Sequence, residues 1–259
     1  MYTLTIRSVK NALALAVLWL AMTTLAAAET TSIKLGVSKG MNAELLLPDG
    51  PGPYPAILLL HTSGGLQAAD LDYAKRLVEA GYVVAVPAFL DAYGIKAKTR
   101  QAAFTAYGQQ IYDDLVAGLE QLRGNPKVNP KKLGALGFSN GGYFALWLAA
   151  TGQVQVGISY YGALTGAGSD RTLERFQQAF SAGSSPVLIL HGTDDSTVPV
   201  RKAVELEAIL SAAKAPHDFH QYADAEHRFD RDRRAGNDAA AADAWSKSQE
   251  YLTRYLKGN

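Results

Sequence analysis

From Tyr54 onward the chain alternates short apolar runs with longer amphipathic stretches, a pattern that a parallel sheet with crossover helices satisfies and few other architectures do. The runs are Ala56 to Leu60, Tyr82 to Val86, Lys132 to Phe138, Val154 to Tyr160 and Pro186 to Leu190. A less apolar one, His217 to Tyr222, suits a sheet edge. Between and after them, Asp70 to Ala80, Gln101 to Arg123, Gly142 to Ala150, Val200 to Ala213 and Ala239 to Leu256 carry apolar residues at helical spacing. Ahead of the alternation, Ser32 to Val37 and Ala43 to Leu47 read as an antiparallel pair, joined to the rest by the turn-rich stretch Pro48 to Pro55. The expectation is an α/β fold with a mostly parallel central sheet and helices on both faces.

No repeat, low-complexity linker or composition shift after residue 30 marks a boundary, so residues 29–259 read as one domain. About 25 residues separate Tyr160 from Pro186, enough for a short helix such as Thr172 to Ala182 but not for a cap domain. A site at the sheet's edge is therefore expected to be open.

The first 28 residues have a different pattern. Arg7 and Lys10 precede an apolar run from Ala12 to Leu20, and Ala26, Ala27 and Ala28 close the segment, the order of a secretory signal cleaved after Ala28. An uncleaved anchor is the competing reading. However, the uncharged run from Asn11 to Ala28 is broken by Thr23 and Thr24 and falls short of the ~20 residues that a bilayer requires. The expectation is a periplasmic or secreted protein with no stable membrane association after cleavage. With no Cys at the cleavage point, a lipid anchor is excluded.

Composition narrows the chemistry. With 25 Lys plus Arg against 24 Asp plus Glu there is no broad positive field for nucleic acid, and losing Arg7 and Lys10 leaves 23 against 24, a formal charge of minus one. The absence of Cys removes disulfides, thiolate nucleophiles and Cys-type zinc sites, so a nucleophile must be oxygen or nitrogen. His217 and His220 are three apart in a strand and face opposite ways, which does not suit a metal. Neither a metal nor a cofactor is expected.

Two pentapeptides match the pattern Gly-x-Ser-x-Gly. Gly137-Phe138-Ser139-Asn140-Gly141 stands between the apolar run Leu133 to Phe138 and the helix-forming Tyr143 to Ala150, the strand–turn–helix context of a nucleophile elbow. Gly36-Val37-Ser38-Lys39-Gly40 lies between two strand-like segments and reads as a hairpin turn. Glycines are required around an elbow because the serine backbone is strained and side chains beside it would strike the neighbouring strand and helix.

A serine hydroxyl is a weak nucleophile unless a base takes its proton and an acid orients that base. His227, in Ala225-Glu226-His227-Arg228-Phe229, follows the last strand-like run. Asp195, in His191-Gly192-Thr193-Asp194-Asp195-Ser196-Thr197-Val198-Pro199, follows the run ending at Leu190, so both reach the carboxyl edge of the sheet where α/β proteins bind ligands. Asp194 is the rival acid. His61 and His191 end apolar strands and read as structural hydrogen-bonding residues. The oxyanion calls for the backbone N–H of Asn140, next after Ser139, and one from His61-Thr62-Ser63-Gly64-Gly65, where Ser63 is preferred to Thr62. Phe89, Tyr93, Phe104, Tyr107 and Tyr161 are candidates to line the site or to fill the core, and Lys96, Lys98 and Arg100 face either substrate or solvent.

These motifs, over about Ser32 to Lys257, resemble the α/β-hydrolase superfamily and within it the dienelactone hydrolase family. The resemblance implies the α/β-hydrolase fold without a large cap domain, and it places the family's acid, in Gly-x-x-Asp-x-x-Val-Pro, on Asp195. Founding members carry cysteine where this chain has Ser139, and the acidic residue that accompanies that thiol corresponds to Thr62. That pattern points to a serine esterase on the same scaffold rather than to dienelactone itself as substrate. Arg231, four residues after His227, matches a family arginine that holds the substrate carboxylate, while the residues alone read it as a surface charge in the run Arg228 to Arg234. The expected function is hydrolysis of small carboxylic esters or lactones through an acyl-enzyme. A peptidase on this fold and a non-catalytic binding protein are the rivals.

Overall fold

The computed structural model covers residues 29–96, 100–164, 169–232 and 235–258, apart from the side chains of 100–105, 169–171 and 235–236. The signal segment, Lys98 and the side chains of Arg100 and Phe104 lie outside the described residues. Eight strands form one sheet: β1 Glu29–Leu35, β2 Met41–Leu47, β3 Tyr54–Leu60, β4 Val83–Pro87, β5 Val128–Phe138, β6 Val156–Tyr160, β7 Val187–Gly192 and β8 His217–Tyr222. Their order is β1-β2-β4-β3-β5-β6-β7-β8. The pairings β1 with β2 and β2 with β4 are antiparallel and the others parallel.

Among the described residues, α-helices α1 Ala68–Glu79, α2 Arg100–Arg123, α3 Asn140–Ala150, α4 Ser169–Ala179 and α5 Arg201–Ala212 connect the strands, and α6 Ala235–Leu252 follows β8 and ends in a π-helical turn at Thr253–Lys257. The period-two alternation of β3 divides the core. Ala56, Leu58 and Leu60 join Ile111, Tyr143, Phe176 and Leu206 of α2 to α5 on one face. Ile57 and Leu59 join Tyr73, Leu77, Ala244 and Tyr251 of α1 and α6 on the other. Helices thus cover both faces, as expected, and β8 forms the expected edge. Among the described residues no helix is long and apolar enough to cross a membrane.

Two differences from the sequence reading have a common cause. β3 begins at Tyr54, inside the stretch read as a link, and β5 begins at Val128 rather than Lys132. Each added segment contains a proline, Pro55 or Pro130, which cannot donate to a ladder. The sheet accommodates them at a register shift, where Tyr54 pairs with Val128 but Ala56 pairs with Leu133.

The second Gly-x-Ser-x-Gly is the hairpin turn between β1 and β2. Its backbone wraps the buried carboxylate of Asp114 on α2, which accepts the N–H groups of Val37 at 2.9 Å, Ser38 at 2.7 Å and Lys39 at 3.2 Å, and the Tyr93 hydroxyl at 2.7 Å.

Candidate active site

The crossover from β4 to β5 passes over β3, so β3 and β5 are neighbours at the place where the strand order reverses, and loops leaving their carboxyl ends flank a crevice. Leu60 pairs with Gly137 there. Ser139, two residues beyond Gly137, and Ser63, three beyond Leu60, therefore leave the same edge of the sheet from neighbouring strands.

Ser139 has φ 52° and ψ −110°, a conformation that side chains rarely adopt. It is held by its N–H on the Tyr160 carbonyl at 3.0 Å, and its own carbonyl accepts the N–H groups of Ala163 at 2.9 Å and Tyr143 at 3.1 Å. The turn closes only with glycine. A Cβ on Gly137 would lie 2.1 Å from the Gly141 carbonyl carbon, and one on Gly141 would lie 2.1 Å from the Leu60 carbonyl oxygen. Helix α3 then runs from Asn140 with every other residue buried, which fixes the elbow against the core.

Two loops bring the partners. Past β7 and β8 the chain is stitched by Thr193 N–H to the Tyr222 carbonyl at 2.9 Å and Asp194 N–H to the Ala225 carbonyl at 3.0 Å. This places His227 Nδ1 2.7 Å from Asp195 Oδ2 and His227 Nε2 3.2 Å from Ser139 Oγ. A carboxylate only accepts, so Nδ1 carries the proton and Nε2 is left to accept from the serine hydroxyl. Asp195 Oδ1 takes the N–H groups of Thr197 at 2.9 Å and Val198 at 2.7 Å. Burial alone would push this carboxyl up, but hydrogen bonds from His191, His227 and Val198 hold it well below the usual carboxylate range. Asp194 is exposed and meets the Thr193 hydroxyl at 3.0 Å.

Of the sequence candidates, the structure therefore joins Ser139, His227 and Asp195, leaves Asp194 outside, and puts Asn140 at the first position of α3 and Ser63 in the turn after β3. In that turn Gly64 N–H meets Thr62 Oγ1 at 3.2 Å. Of the described aromatic candidates, Phe89 stacks on His61 at 4.2 Å and Tyr93 binds Asp114, while Tyr107 is 41% exposed. Tyr161 alone of these meets the trio, its ring edge-on to His227 at 4.6 Å.

Arg231 is not the surface charge that its charged run suggests. Its side chain is 6% exposed, with Nη2 on Asp70 at 2.7 Å, Nε on Asp230 at 3.0 Å and its guanidinium 4.4 Å above the Phe138 ring. Asp230 also accepts the Tyr161 hydroxyl. Two carboxylates of this chain already meet the cation that the resemblance assigns to a substrate carboxylate. Asp70 sits in the first turn of α1 and caps it, accepting the Gln67 N–H at 2.8 Å. No local signal ties Asp70 to Arg231, and sequence reasoning missed this pair, as it missed Tyr161 against His227 and His191 against Asp195.

Known proteins agree with this architecture. The model of the dienelactone hydrolase family matches residues 41–256. A carboxymethylenebutenolidase from Rhodococcus opacus is 30% identical over 210 residues, covering 79% of this chain and 83% of the relative. A crystal structure of P91, a dienelactone hydrolase-like promiscuous phosphotriesterase from metagenomic libraries, matches with TM-score 0.74 at 20% identity, over 89% of this chain and all of that one. The Pyrococcus horikoshii acylaminoacyl peptidase matches with TM-score 0.74 at 16% identity, over 91% of this chain and 43% of that one. At such identities the solved structures speak for the fold alone. Fold, elbow and a family match over most of its length agree, and the chain is a hydrolase belonging to the dienelactone hydrolase family.

Proposed function

We propose that the protein is a serine hydrolase of small carboxylic esters or lactones, working through an acyl-enzyme. The observation that carries this reading is the bridge formed by His227, 2.7 Å from Asp195 and 3.2 Å from Ser139, in a chain without cysteine. Ser139 Oγ attacks the carbonyl carbon as its proton passes to His227 Nε2, and Asp195 holds the imidazole tautomer and stabilises the imidazolium. The tetrahedral oxyanion rests on the backbone N–H groups of Asn140 and Ser63. His227 returns the proton to the leaving alkoxide, and water, deprotonated by the same nitrogen, releases the acid and frees Ser139.

Asp70 and Asp230 meet Arg231 through Nη2 and Nε and leave its buried Nη1 without a partner, and this pairing within the chain favours an uncharged substrate over one that carries a carboxylate. The order of Arg7, Lys10, the apolar run and Ala26 to Ala28 supports export with cleavage after Ala28, which N-terminal sequencing of the exported protein tests.

The test of mechanism is intact-mass labelling with a fluorophosphonate followed by peptide mapping. One adduct on Ser139 is expected, with turnover of a p-nitrophenyl ester and lactone panel lowered about 10⁴-fold in Ser139→Ala. Folded protein that takes up no adduct, or a Ser139→Ala variant that keeps its activity, contradicts the reading.

A further inference from the structure

His191 is the next-to-last residue of β7 and is fully buried. Its Nε2 lies 2.8 Å from the Val198 carbonyl oxygen and 3.3 Å from Asp195 Oδ2, while Nδ1 is buried with no hydrogen-bond partner. Both oxygens near Nε2 are acceptors only, so Nε2 carries the hydrogen and Nδ1 is a bare lone pair. That one hydrogen bonds the Val198 carbonyl along the shorter contact, 2.8 Å, and Asp195 Oδ2 meets its longer side at 3.3 Å.

The Asp195 carboxylate is thus surrounded. Oδ1 receives two backbone N–H groups and Oδ2 receives His227 Nδ1–H, which leaves the other side of Oδ2 to His191. We propose that His191 is a positioning residue for the reaction, whose Nε2–H fixes the orientation of the Asp195 carboxylate and sets how firmly that carboxylate holds the proton of His227. The proposal rests on the reading of Ser139, His227 and Asp195 as the reacting set.

The direction of the effect follows from the donor count. A carboxylate that loses a hydrogen-bond donor becomes more basic and stabilises the neighbouring imidazolium more strongly. The acid limb of any reaction that needs neutral His227 then moves to higher pH. The other groups facing His227 are Ser139 from the elbow and Tyr161 from the end of β6, with Asp230 and Arg231 behind Tyr161 and Glu226 and Arg228 as chain neighbours. None of them contacts Asp195 Oδ2 in the hydrogen bonds and ion pairs of the described residues, so a change at His191 reaches His227 through Asp195.

The test compares wild type, His191→Met, which keeps volume without a donor, and His191→Gln, which keeps a terminal N–H. The readouts are the rate of fluorophosphonate labelling of Ser139 from about pH 5 to about pH 9 and the kinetics of p-nitrophenyl acetate hydrolysis. In His191→Met the acid limb is expected to rise by roughly half a unit to one unit, and kcat to fall about tenfold with little change in KM. His191→Gln is expected to return the limb to its wild-type position. A folded His191→Met with an unmoved limb, or a His191→Gln that behaves like it, overturns the proposal.

If His191→Met does not fold, proton NMR of the His191 Hε2 in wild type and in Asp195→Asn tests the same contact. The resonance is expected downfield in wild type and to move upfield in Asp195→Asn, and resonances that coincide overturn the contact. A wild-type protein that takes no label on Ser139 sinks the hydrolase reading instead, and the Hε2 resonance still decides the His191 contact.

Discussion

Arg231 Nη2 and Asp70 Oδ1 meet at 2.7 Å across 161 positions of sequence, joining the loop that carries His227 to the helix that starts just beyond the Ser63 turn. Both side chains are buried and Arg231 also meets Asp230 at 3.0 Å, so removing the arginine strands two carboxylates, of which Asp70→Leu removes one. Arg231→Met is expected to lose about 3–5 kcal/mol of stability in denaturant unfolding, and Arg231→Met combined with Asp70→Leu to lose less than the single variant. The pairing also predicts that a neutral ester is hydrolysed faster than an analogue of equal size bearing a carboxylate. A carboxylate ester preferred by wild type would contradict it.

Ser139 occupies a strained backbone at φ 52°, ψ −110°, and Ala retains the Cβ that makes it so. Relief of strain is worth roughly 1–3 kcal/mol and the added chain entropy of glycine costs roughly 0.5–1 kcal/mol. Ser139→Gly is therefore expected to be more stable than Ser139→Ala by about 1 kcal/mol, with both inactive. Equal unfolding midpoints would mean that the elbow carries no such strain.

The alternation of apolar runs and helical stretches made the sheet, its edge strand and both helical layers readable, because burial on both faces leaves little choice of residue. The elbow was readable for the same reason: strand, glycine, serine, glycine and helix are local, and the two matching pentapeptides differ in what flanks them. The chain order of Ser139, Asp195 and His227 carried the trio. What escaped lies between residues far apart in sequence. Arg231 sits in a charged run that resembles a solvated face, and only the packed chain brings Asp70 to it. His191 looks like a buried strand end, and its contact with Asp195 depends on how the next four residues turn. Pro55 and Pro130 read as breakers because a register shift is invisible without the partner strand.

Asp114 anchors the hairpin that carries the second Gly-x-Ser-x-Gly. Asp114→Ala leaves three backbone N–H groups and the Tyr93 hydroxyl without their acceptor, and a loss of about 3 kcal/mol is expected, with Asp114→Asn losing less. Activity per folded molecule is expected to be unchanged in both. Thermal unfolding together with esterase assays checks both halves of this prediction.

Acid should weaken the fold in two stages. His61 is held below the ordinary histidine range by burial, and His220 likewise by burial and by the charge of Lys247. For a histidine lowered in the folded state, the unfolded chain binds the proton first, so the stability it contributes is present above about pH 6.5 and lost as pH falls below it. Asp195 and Asp114 are lowered against the push of burial by their hydrogen-bond donors, so their contribution is present above about pH 4 and lost below it. Unfolding midpoints are expected to be flat above about pH 7, to decline below about 6.5 and to fall more steeply below about 4. His61→Asn, which keeps a donor for the Thr62 carbonyl, should shrink the first decline, and adding His220→Gln should shrink it further.

Gly192 links the loops of the acid and the base. A Cβ there would lie 2.1 Å from the Ala225 carbonyl oxygen, the same atom that receives the Asp194 N–H at 3.0 Å. Ala225 precedes His227 by two residues, so any shift that relieves the clash moves Asp195 away from His227. Displacements near 1 Å at a reacting set cost about 100-fold in rate, and Gly192→Ala is expected to lower kcat by about that factor with a smaller effect on KM. Gly108, in α2 with nothing within 4 Å of an added Cβ, is the matched control. Gly108→Ala should keep full activity and gain up to about 1 kcal/mol of stability from helix propensity. Should Gly192→Ala retain wild-type kcat, the close approach of the two loops does not set the distance between Asp195 and His227.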